Sequence, residues 1–470
     1  MRLRNGIALG FSLLTILASG ASAHAADRTG EGAGFAPRQV IVKFEGEAAG
    51  RARALPAGIG VRKATSALRA NPAVSYAAPN YIATASAFNQ QAGAEASNVP
   101  NDPGTLPGQP AVPGAWVTKQ WGFLPWEGSG TALLPVSPGG INAVGGWEHL
   151  AAAKRPGAKG VTVAVLDTGI AYRPLGSRFR RSPDFSAGQF VKGFDFVAGN
   201  PLPLDRNGHG THVAGTIAEK TNNGIGLTGL AYRAKLMPVR VLDRLGSGRA
   251  DDIAAGVRFA ADNGADVINM SFNFGCGKRV PSVTEAIRYA SRRGVVAVAS
   301  VGNLGSESCV SPPATIDGVI GVGGTTEGGC LGSYSLAGKG VDVVAPGGGT
   351  AVAGCPSVLT DPIYQVTFKG SNERRFAEPG FYVGTSMAAA HASGVAAMVL
   401  AAGVIDRRRK APPVPVQVTL RIKKTARSIG LSPLLEGAGL IDAARATDPA
   451  CQAACLSDDR RRPRARWSGR

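Results

Sequence analysis

A buried strand runs directly into a polar turn at residues 161–169, which read Val-Thr-Val-Ala-Val-Leu-Asp-Thr-Gly. The strand has no polar face, as is typical of a parallel strand covered on both sides. Further apolar runs of this kind follow along the chain, at 235–242, 267–271, 295–300 and 319–322. Helical patterns lie between them at 253–263 and 283–293. The alternation predicts an α/β fold of about 300 residues, with a mainly parallel sheet and helices on both faces.

A smaller unit precedes this domain. Residues 39–44 alternate as a strand does, and 64–70 read as a helix that ends before Asn71-Pro72. A second strand pattern follows at 73–77. We therefore predict a small α+β domain over residues 38–82.

The remaining boundaries follow from composition. Residues 83–119 are rich in Ala, Gly, Pro, Asn and Ser, which predicts an exposed linker. The main domain is expected over 120–450, with little regular pattern beyond Ala402. Arginines dominate the last residues, so we expect a basic tail over 451–470.

Composition and charge limit the class of protein. The chain has 470 residues, 44% of them hydrophobic and 18% charged, which excludes disorder throughout. Lys and Arg number 51 against 32 Asp and Glu, so the net charge is +19. Such a surface attracts polyanions, but simple solubility of a basic protein explains it equally well.

The N-terminus has the pattern of a secretory signal. Arg2 and Arg4 precede an apolar run at 7–18, and small residues follow. A permanent anchor would need about 20 apolar residues, so we assign residues 1–25 to a cleaved signal peptide. The expected location is outside the cytoplasm, extracellular or periplasmic, with no membrane anchor after cleavage.

The six cysteines suit an oxidising compartment. Sequence alone cannot fix their pairing. Pairs that would brace neighbouring loops are Cys276 with Cys309, Cys330 with Cys355, and Cys451 with Cys455. Free buried thiols are the alternative. The spacing gives no sign of a structural zinc site.

Three segments carry candidate reactive groups. Asp167 ends the first strand, His209 lies in the glycine-rich run 207–215, and Ser386 lies in 384–391. Reactive groups in an open α/β sheet gather at the carboxyl ends of strands and at the helix starts beyond them. The order Asp, His, Ser is one of the chain orders known for a nucleophilic triad.

The chemistry assigns a role to each side chain. A serine hydroxyl becomes a nucleophile when an imidazole takes its proton, and a carboxylate holds that imidazole in the required tautomer. Ser386 is thus the candidate nucleophile, His209 the general base and acid, and Asp167 the orienting carboxylate. Asn303 follows the strand at 295–300 and offers an amide donor to an oxyanion, beside the backbone N–H of Ser386.

These motifs, in this order, resemble the subtilisin-type serine peptidases of the subtilase superfamily. The resemblance implies the subtilisin-like fold for the main domain. The unit at 38–82 resembles the subtilase propeptide, which chaperones folding and inhibits until it is cleaved. It is shortened between its first strand and its helix, and maturation is expected within 83–119.

Substrate contacts follow from the same resemblance. Subtilases hold a peptide as an added β-strand between two segments. The matching residues here are Gly246, Ser247, Gly248, Ser271, Phe272, Asn273 and Gly302. The chain departs from the family at Asn273 and Phe274, where glycines are usual, and at Ala390, where proline is usual.

The resemblance also implies a structural calcium ion. Its loop would be residues 221–227, with hard oxygen ligands. The matching ligands are the side chains of Asp102, Asp184 and Asn223 and the carbonyls of Thr221, Ile225 and Leu227.

Together these features predict a secreted, monomeric, calcium-supported serine endopeptidase. Its partners would be protein and peptide substrates and its own propeptide, with no specific nucleic acid. The departures at Asn273, Phe274 and Ala390 motivate an alternative, a catalytically inactive subtilase-fold protein that binds peptides. A third interpretation is a polyanion-binding protein that works through its basic surface.

Overall fold

The structure is a computed structural model. It describes residues 34–56, 58–85, 102–106, 114–127, 134–305, 309–355, 357, 359–408 and 411–451. The predicted signal at 1–25, much of the predicted linker and the predicted tail after Cys451 lie outside the described residues.

The main domain is built on a seven-stranded sheet in which every pair of neighbours is parallel. The strands are β4 (Thr162–Asp167), β5 (Phe194–Asp195), β6 (Lys235–Arg240), β8 (Val267–Met270), β10 (Val296–Ser300), β11 (Val319–Thr325) and β12 (Val343–Pro346). Their order across the sheet is β12-β11-β10-β8-β4-β6-β5. The predicted α/β fold is confirmed. The first quoted strand, β4, lies near the middle of the sheet.

Helices cover both faces of this sheet. They are α2 (Ala143–Ala152), α3 (His209–Ala218), α4 (Ala250–Asp262), α5 (Pro281–Arg292), α6 (Thr385–Ala401), α7 (Val414–Thr425), α8 (Pro433–Glu436) and α9 (Ala443–Thr447). The helix α3 packs against α6, whereas α4 packs against α5, so these helices form two separate groups.

The helix α6 forms the centre of the core. All of its residues are buried, and it packs against α3 and against β8, β10, β11 and β12. Its sequence is apolar all round, as expected of a helix enclosed on every side. The pattern beyond Ala402 did not predict α7, which begins with Pro415 in its first turn.

The N-terminal unit has its own small core. It consists of β1 (Phe35–Phe44), β2 (Arg51–Ala54), α1 (Val61–Arg69) and β3 (Val74–Ala85). Val40, Val42 and Leu68 are completely buried in this core. The predicted strands and helix are present, but β3 continues well beyond residue 77 and passes into the main domain.

A hairpin that the sequence did not predict packs beside α3. It consists of β13 (Thr367–Lys369) and β14 (Asn372–Ala377). Thr367 Oγ1 donates to the Gly208 carbonyl oxygen at 2.6 Å, so the hairpin contacts the turn before α3. Among the described residues, no helix has both the length and the apolar character needed to cross a bilayer.

Candidate active site

Asp167 and His209 form a buried pair at the carboxyl edge of the sheet. Asp167 ends β4, and His209 is the first residue of α3. The two meet because Gly208, with φ 106°, turns the chain sharply into the helix. His209 Nδ1 lies 2.8 Å from Asp167 Oδ1. The structure brings these two predicted residues into direct contact.

This contact sets the chemistry of the imidazole. Because the carboxylate oxygen only accepts, Nδ1 carries the proton and Nε2 keeps a lone pair. Nε2 is buried and has no hydrogen-bond partner in the described part of the chain. Burial lowers the pKa of His209, but the charges of Asp167 and Asp205 and the hydrogen bond to Asp167 outweigh it and raise that pKa above its usual value.

Ser386 lies at the start of α6, near the same edge. Its hydroxyl donates to the Ser271 carbonyl oxygen at 2.9 Å and not to the imidazole. Of the two hydrogen bonds expected in a triad, the structure therefore contains the one between Asp167 and His209 and not the one between His209 and Ser386. A rotation about χ1 of Ser386 would be needed to direct the hydroxyl toward Nε2.

Asp205 is a central residue of this site that sequence reasoning missed. Its Oδ1 accepts from Thr168 Oγ1 at 2.8 Å and from the N–H groups of Asn207 and Gly208 at 2.9 and 3.0 Å. Its Oδ2 accepts from the N–H and Oγ1 of Thr211 at 3.0 and 2.5 Å. The carboxylate thus joins the end of β4 to the first turn of α3. A signal was present, since an Asp in the turn before a helix often binds its N–H groups.

Asn303 is held in one orientation by its neighbour Thr385. Its Oδ1 accepts from the N–H of Thr385 at 2.9 Å and from Oγ1 of Thr385 at 2.7 Å. Its Nδ2 is buried and has no partner among the residues described. Because Oδ1 accepts from two donors, the amide has one orientation, and the two N–H groups of Nδ2 can donate to a ligand. Thr385 is a second residue that sequence reasoning missed.

A strand of the N-terminal unit occupies the predicted peptide cleft. The strand β3 pairs antiparallel with β7 (Ser247–Arg249) and with β9 (Phe272–Asn273). Thr84 lies opposite both Ser247 and Asn273, and the Ala85 N–H donates to the Gly246 carbonyl at 2.7 Å. The segments around Gly246–Gly248 and Phe272 therefore flank the extended strand β3.

The cleft leads toward the serine. After Ala85, which lies opposite Phe272, the next position on that side of the cleft is Ser271. Ser271 is the residue whose carbonyl accepts from the Ser386 hydroxyl. Gly302 lies beside them, and its N–H donates to Thr385 Oγ1 at 3.3 Å.

The residues that depart from the family pattern fit the fold. Phe274 is buried, and its ring packs edge-on against Phe272 with centroids 6.2 Å apart. Ala390 lies inside the continuous helix α6 and is completely buried. Neither residue interrupts the elements that carry the site.

Three of the residues predicted to bind calcium, Asp102, Asp184 and Asn223, contact one another at the 221–227 loop. Asp102 accepts from the N–H groups of Asn222 and Asn223 at 2.9 and 3.0 Å. Asp184 accepts from Asn223 Nδ2 and from the Leu227 N–H, both at 2.8 Å. Both carboxylates thus bind nitrogen donors here, and burial raises the pKa of each, that of Asp184 strongly. Within the described ranges, no three His, Cys, Asp or Glu residues are grouped as a metal would require.

Glu219 is a buried carboxylate that sequence reasoning also missed. It follows α3 directly, and neither of its oxygens makes a well-formed hydrogen bond within the described residues. Burial raises its pKa well above the usual value, and nearby Asp184 raises it further, while the Val366 N–H offsets only part of this.

Two of the three predicted disulfides are present. Cys276 pairs with Cys309, and Cys330 pairs with Cys355. The first joins the segment after β9 to the segment after Asn303, so it links the cleft wall to the amide donor. Cys455 lies outside the described residues.

Comparisons with known proteins agree with this geometry. Residues 158–432 match the model of the subtilase family. A thermophilic serine proteinase of Bacillus sp. strain AK1 is 40% identical over 247 residues, which cover 53% of this chain and 54% of that protein. Subtilisin Savinase of Lederbergia lenta is 39% identical over 292 residues, 61% of this chain and 91% of that protein.

A solved structure is similar as well. A protease from Pseudoalteromonas arctica PAMC 21717 matches with a TM-score of 0.54 and 31% identity, over 67% of this chain and 94% of the other. The family match spans more than half of the chain and contains Asp167, His209 and Asn303 together with Ser386. The chain belongs to the subtilase family of serine peptidases.

Proposed function

We propose that this protein is a serine endopeptidase that hydrolyses peptide bonds in proteins through an acyl-enzyme on Ser386. The observation that carries the proposal is the buried contact between Asp167 and His209. Within the described residues it leaves Nε2 of the imidazole unpaired, at the sheet edge where Ser386 lies in the first turn of α6. A base with a free lone pair beside a serine at a helix start is the arrangement that acyl transfer requires.

The reaction begins when the Ser386 hydroxyl turns from Ser271 toward His209. Its proton moves to Nε2 as Oγ attacks the peptide carbonyl carbon, and the carbonyl oxygen becomes negative. Asn303 Nδ2 and the Ser386 N–H donate to that oxygen, a contribution on the order of 10²–10³ in turnover for a side-chain donor of this type.

Breakdown of this intermediate completes the first half of the reaction. The C–N bond breaks, and the leaving amine takes the proton from Nε2. A water molecule then attacks the ester while His209 accepts one of its protons. The acid product leaves when that proton returns to Ser386 Oγ.

We further propose that residues 38–82 act as a propeptide and that maturation occurs within 83–119. The support is the position of β3, whose residues Ile82, Ala83 and Thr84 pair with β7 in the cleft. An occupied cleft excludes other peptides, so the precursor is expected to be inactive until the connection is cut. The polar contact of Asn80 Nδ2 with Asp251 Oδ1 at 2.9 Å helps to seat the unit.

A structural calcium ion at the 221–227 loop is part of the proposal. Asp102, Asp184 and Asn223 already converge there, and their oxygen atoms are the ligand type that Ca²⁺ prefers. The carbonyls of Thr221, Ile225 and Leu227 would complete the set. A bound ion would compensate the buried negative charge and fix the loop.

Secretion is proposed on three grounds. The N-terminal pattern of a signal peptide, the two disulfides and the resemblance to alkaline proteases all suit an oxidising compartment outside the cytoplasm. Mass spectrometry of the N-terminus of the secreted protein would test both the signal cleavage and the maturation site.

The test of the activity is a pair of measurements on the wild type and Ser386→Ala. We expect a fluorophosphonate probe to label the wild type, casein to be hydrolysed, and both signals to disappear in Ser386→Ala. Ser393→Ala, a buried serine of the same helix, serves as control and should keep labelling. A folded wild type without any labelling would favour the alternative, an inactive peptide-binding protein.

A further inference from the structure

Two exposed arginines lie in the two segments that border the cleft near His209. Arg206 lies in the turn that leads into His209, and Arg244 lies in the loop between β6 and β7. Asn207 ties the two loops together, because its Nδ2 donates to the Arg244 carbonyl oxygen at 3.0 Å. The two arginines therefore form one rim at the catalytic side of the cleft.

The direction of the bound strand leads a peptide to this rim. In the antiparallel register Ile82 lies opposite Arg249, Ala83 opposite Gly248 and Thr84 opposite Ser247. Each step toward the C-terminus of the peptide moves one residue back along the β7 side. Gly246, whose carbonyl oxygen accepts from the Ala85 N–H, closes a tight turn by donating its own N–H to the Asp243 carbonyl oxygen at 3.1 Å, so Arg244 lies in the turn next to the C-terminal end of the bound strand.

The rim carries positive charge that the neighbouring carboxylates do not neutralise. Glu373 binds Arg178 at 2.5 Å, and Asp195 binds Arg240 at 2.7 Å, so both acids are already paired. In the described part of the chain, neither Arg206 nor Arg244 takes part in an ion pair.

The surroundings of Arg206 add to this excess of charge. The guanidinium groups of Arg206 and Arg178 contact the ring of Phe179, at 5.5 and 5.2 Å from its centroid. Burial and the charges of Arg240 and Arg178 lower the pKa of Arg206 from its usual value, and the nearby carboxylates Asp195 and Glu373 offset only part of this. An anionic ligand would relieve this repulsion among cations.

We propose that the Arg206–Arg244 rim selects peptide substrates with an Asp or Glu side chain next to the scissile bond. The inference rests on the proposed peptidase function and adds the chemical class of its substrate. A carboxylate on the peptide would pair with these two guanidinium groups, which take part in no ion pair within the described residues. An acidic peptide fits this basic cleft better than a nucleic acid does, because the cleft pairs with β3 in the register of an extended peptide strand.

The experiment compares matched fluorogenic peptides that differ only in Glu, Gln or Lys on either side of the scissile bond. The secreted protein is assayed for kcat/KM at low and high salt. We expect the Glu peptide to exceed the Gln peptide by roughly 5- to 10-fold and the Lys peptide to be poorest, with the difference shrinking at high salt.

Variants assign this selection to the rim. In Arg206→Gln/Arg244→Gln the ratio of kcat/KM for Glu over Gln should fall to about one. Arg292→Gln is the matched control, because Arg292 is an exposed arginine at the end of α5, before the amino end of β10. That control should keep the wild-type ratio.

The outcomes separate this inference from the function on which it rests. Fluorophosphonate labelling with equal rates for Glu, Gln and Lys peptides would overturn the charge selection alone. Selection that survives in the double variant would also overturn it. Stronger competition by single-stranded oligonucleotides than by acidic peptides would reassign the rim to nucleic acid. Absence of labelling would remove the peptidase function and this inference together.

Discussion

The two ends of α3 each carry a buried carboxylate, and their surroundings are opposite. Asp205 precedes the helix and accepts five hydrogen bonds, three of them from backbone N–H groups. Glu219 follows the helix, where carbonyl groups point, and neither of its oxygens makes a well-formed bond in the described residues. A helix favours negative charge at its N-terminus and disfavours it at its C-terminus.

The comparison explains what each end can do. At the N-terminal end the hydrogen-bonded carboxylate fixes the turn that carries His209 and adds to the field that raises the imidazole pKa. At the C-terminal end, burial and Asp184 hold the pKa of Glu219 high, so that carboxyl needs a proton or a nearby cation. One end is organised for catalysis, and the other depends on pH and ions.

The largest effect is expected from removing Asp205. Asp205→Ala leaves five donors without their acceptor, at a cost of about 3 kcal/mol in the free energy of unfolding. It also releases the turn before His209, so kcat/KM should fall by about 10²-fold. Thermal melts and kinetics at a temperature where both proteins are folded measure the two effects separately.

The conservative variant Asp205→Asn distinguishes position from charge. It keeps an oxygen for part of the network but loses the negative charge that raises the His209 pKa. Since His209 must be neutral to act as base, the acidic limb of kcat/KM should move to lower pH. An unchanged limb would mean that Asp205 acts on structure alone.

Sequence reasoning could propose the candidate reactive groups because each lies in a local motif with a recognisable order. Asp167, His209, Asn303 and Ser386 stand at strand ends or helix starts, and the alternation of apolar runs predicted the sheet. Asp205 was missed although four of its five hydrogen bonds are local, because the fifth, from Thr168, joins it to the end of β4 and forms only after folding.

Other features escaped for similar reasons. Residues 83–85 were predicted as the start of the linker, and they become strand only because β7 and β9 supply partners for their backbone groups. The Ser386 hydroxyl was expected to face the imidazole, but its direction depends on a rotamer that sequence does not determine. Whether the Glu219 carboxylate finds hydrogen-bond donors likewise depends on the residues that pack around it, which the sequence does not show.

The effect of calcium on stability tests the loop that follows the C-terminal end of α3. If the 221–227 loop binds the ion, Ca²⁺ at about 100 times its Kd stabilises the folded state by about 2.7 kcal/mol. EDTA should therefore lower the Tm of the wild type. Asp184→Asn should lose most of this calcium dependence, and an equal Tm of the wild type with and without calcium would contradict the site.

The smallest effect is expected from Glu219→Gln, and its sign is opposite to that of Asp205→Ala. The pKa of Glu219 is raised in the folded state. Below the unfolded-state pKa both states are protonated, so the carboxyl does not change the free energy of unfolding. As pH rises through the folded-state pKa, the buried carboxylate destabilises the folded state. In EDTA, Glu219→Gln should thus raise the unfolding free energy by about 1–2 kcal/mol at pH 8 and by less at pH 4.

The matched control is Glu148→Gln on α2, because Glu148 is exposed and its change should alter stability little at either pH. Parallel melts of both variants at pH 4 and pH 8 isolate the contribution of burial. A loss of stability in Glu219→Gln at pH 8 would mean that the carboxylate is needed in its charged form. Glu219 itself would then bind a cation at the C-terminal end of α3. The two ends of the helix would differ in the ligand that each carboxylate binds, and not in how their stability depends on pH.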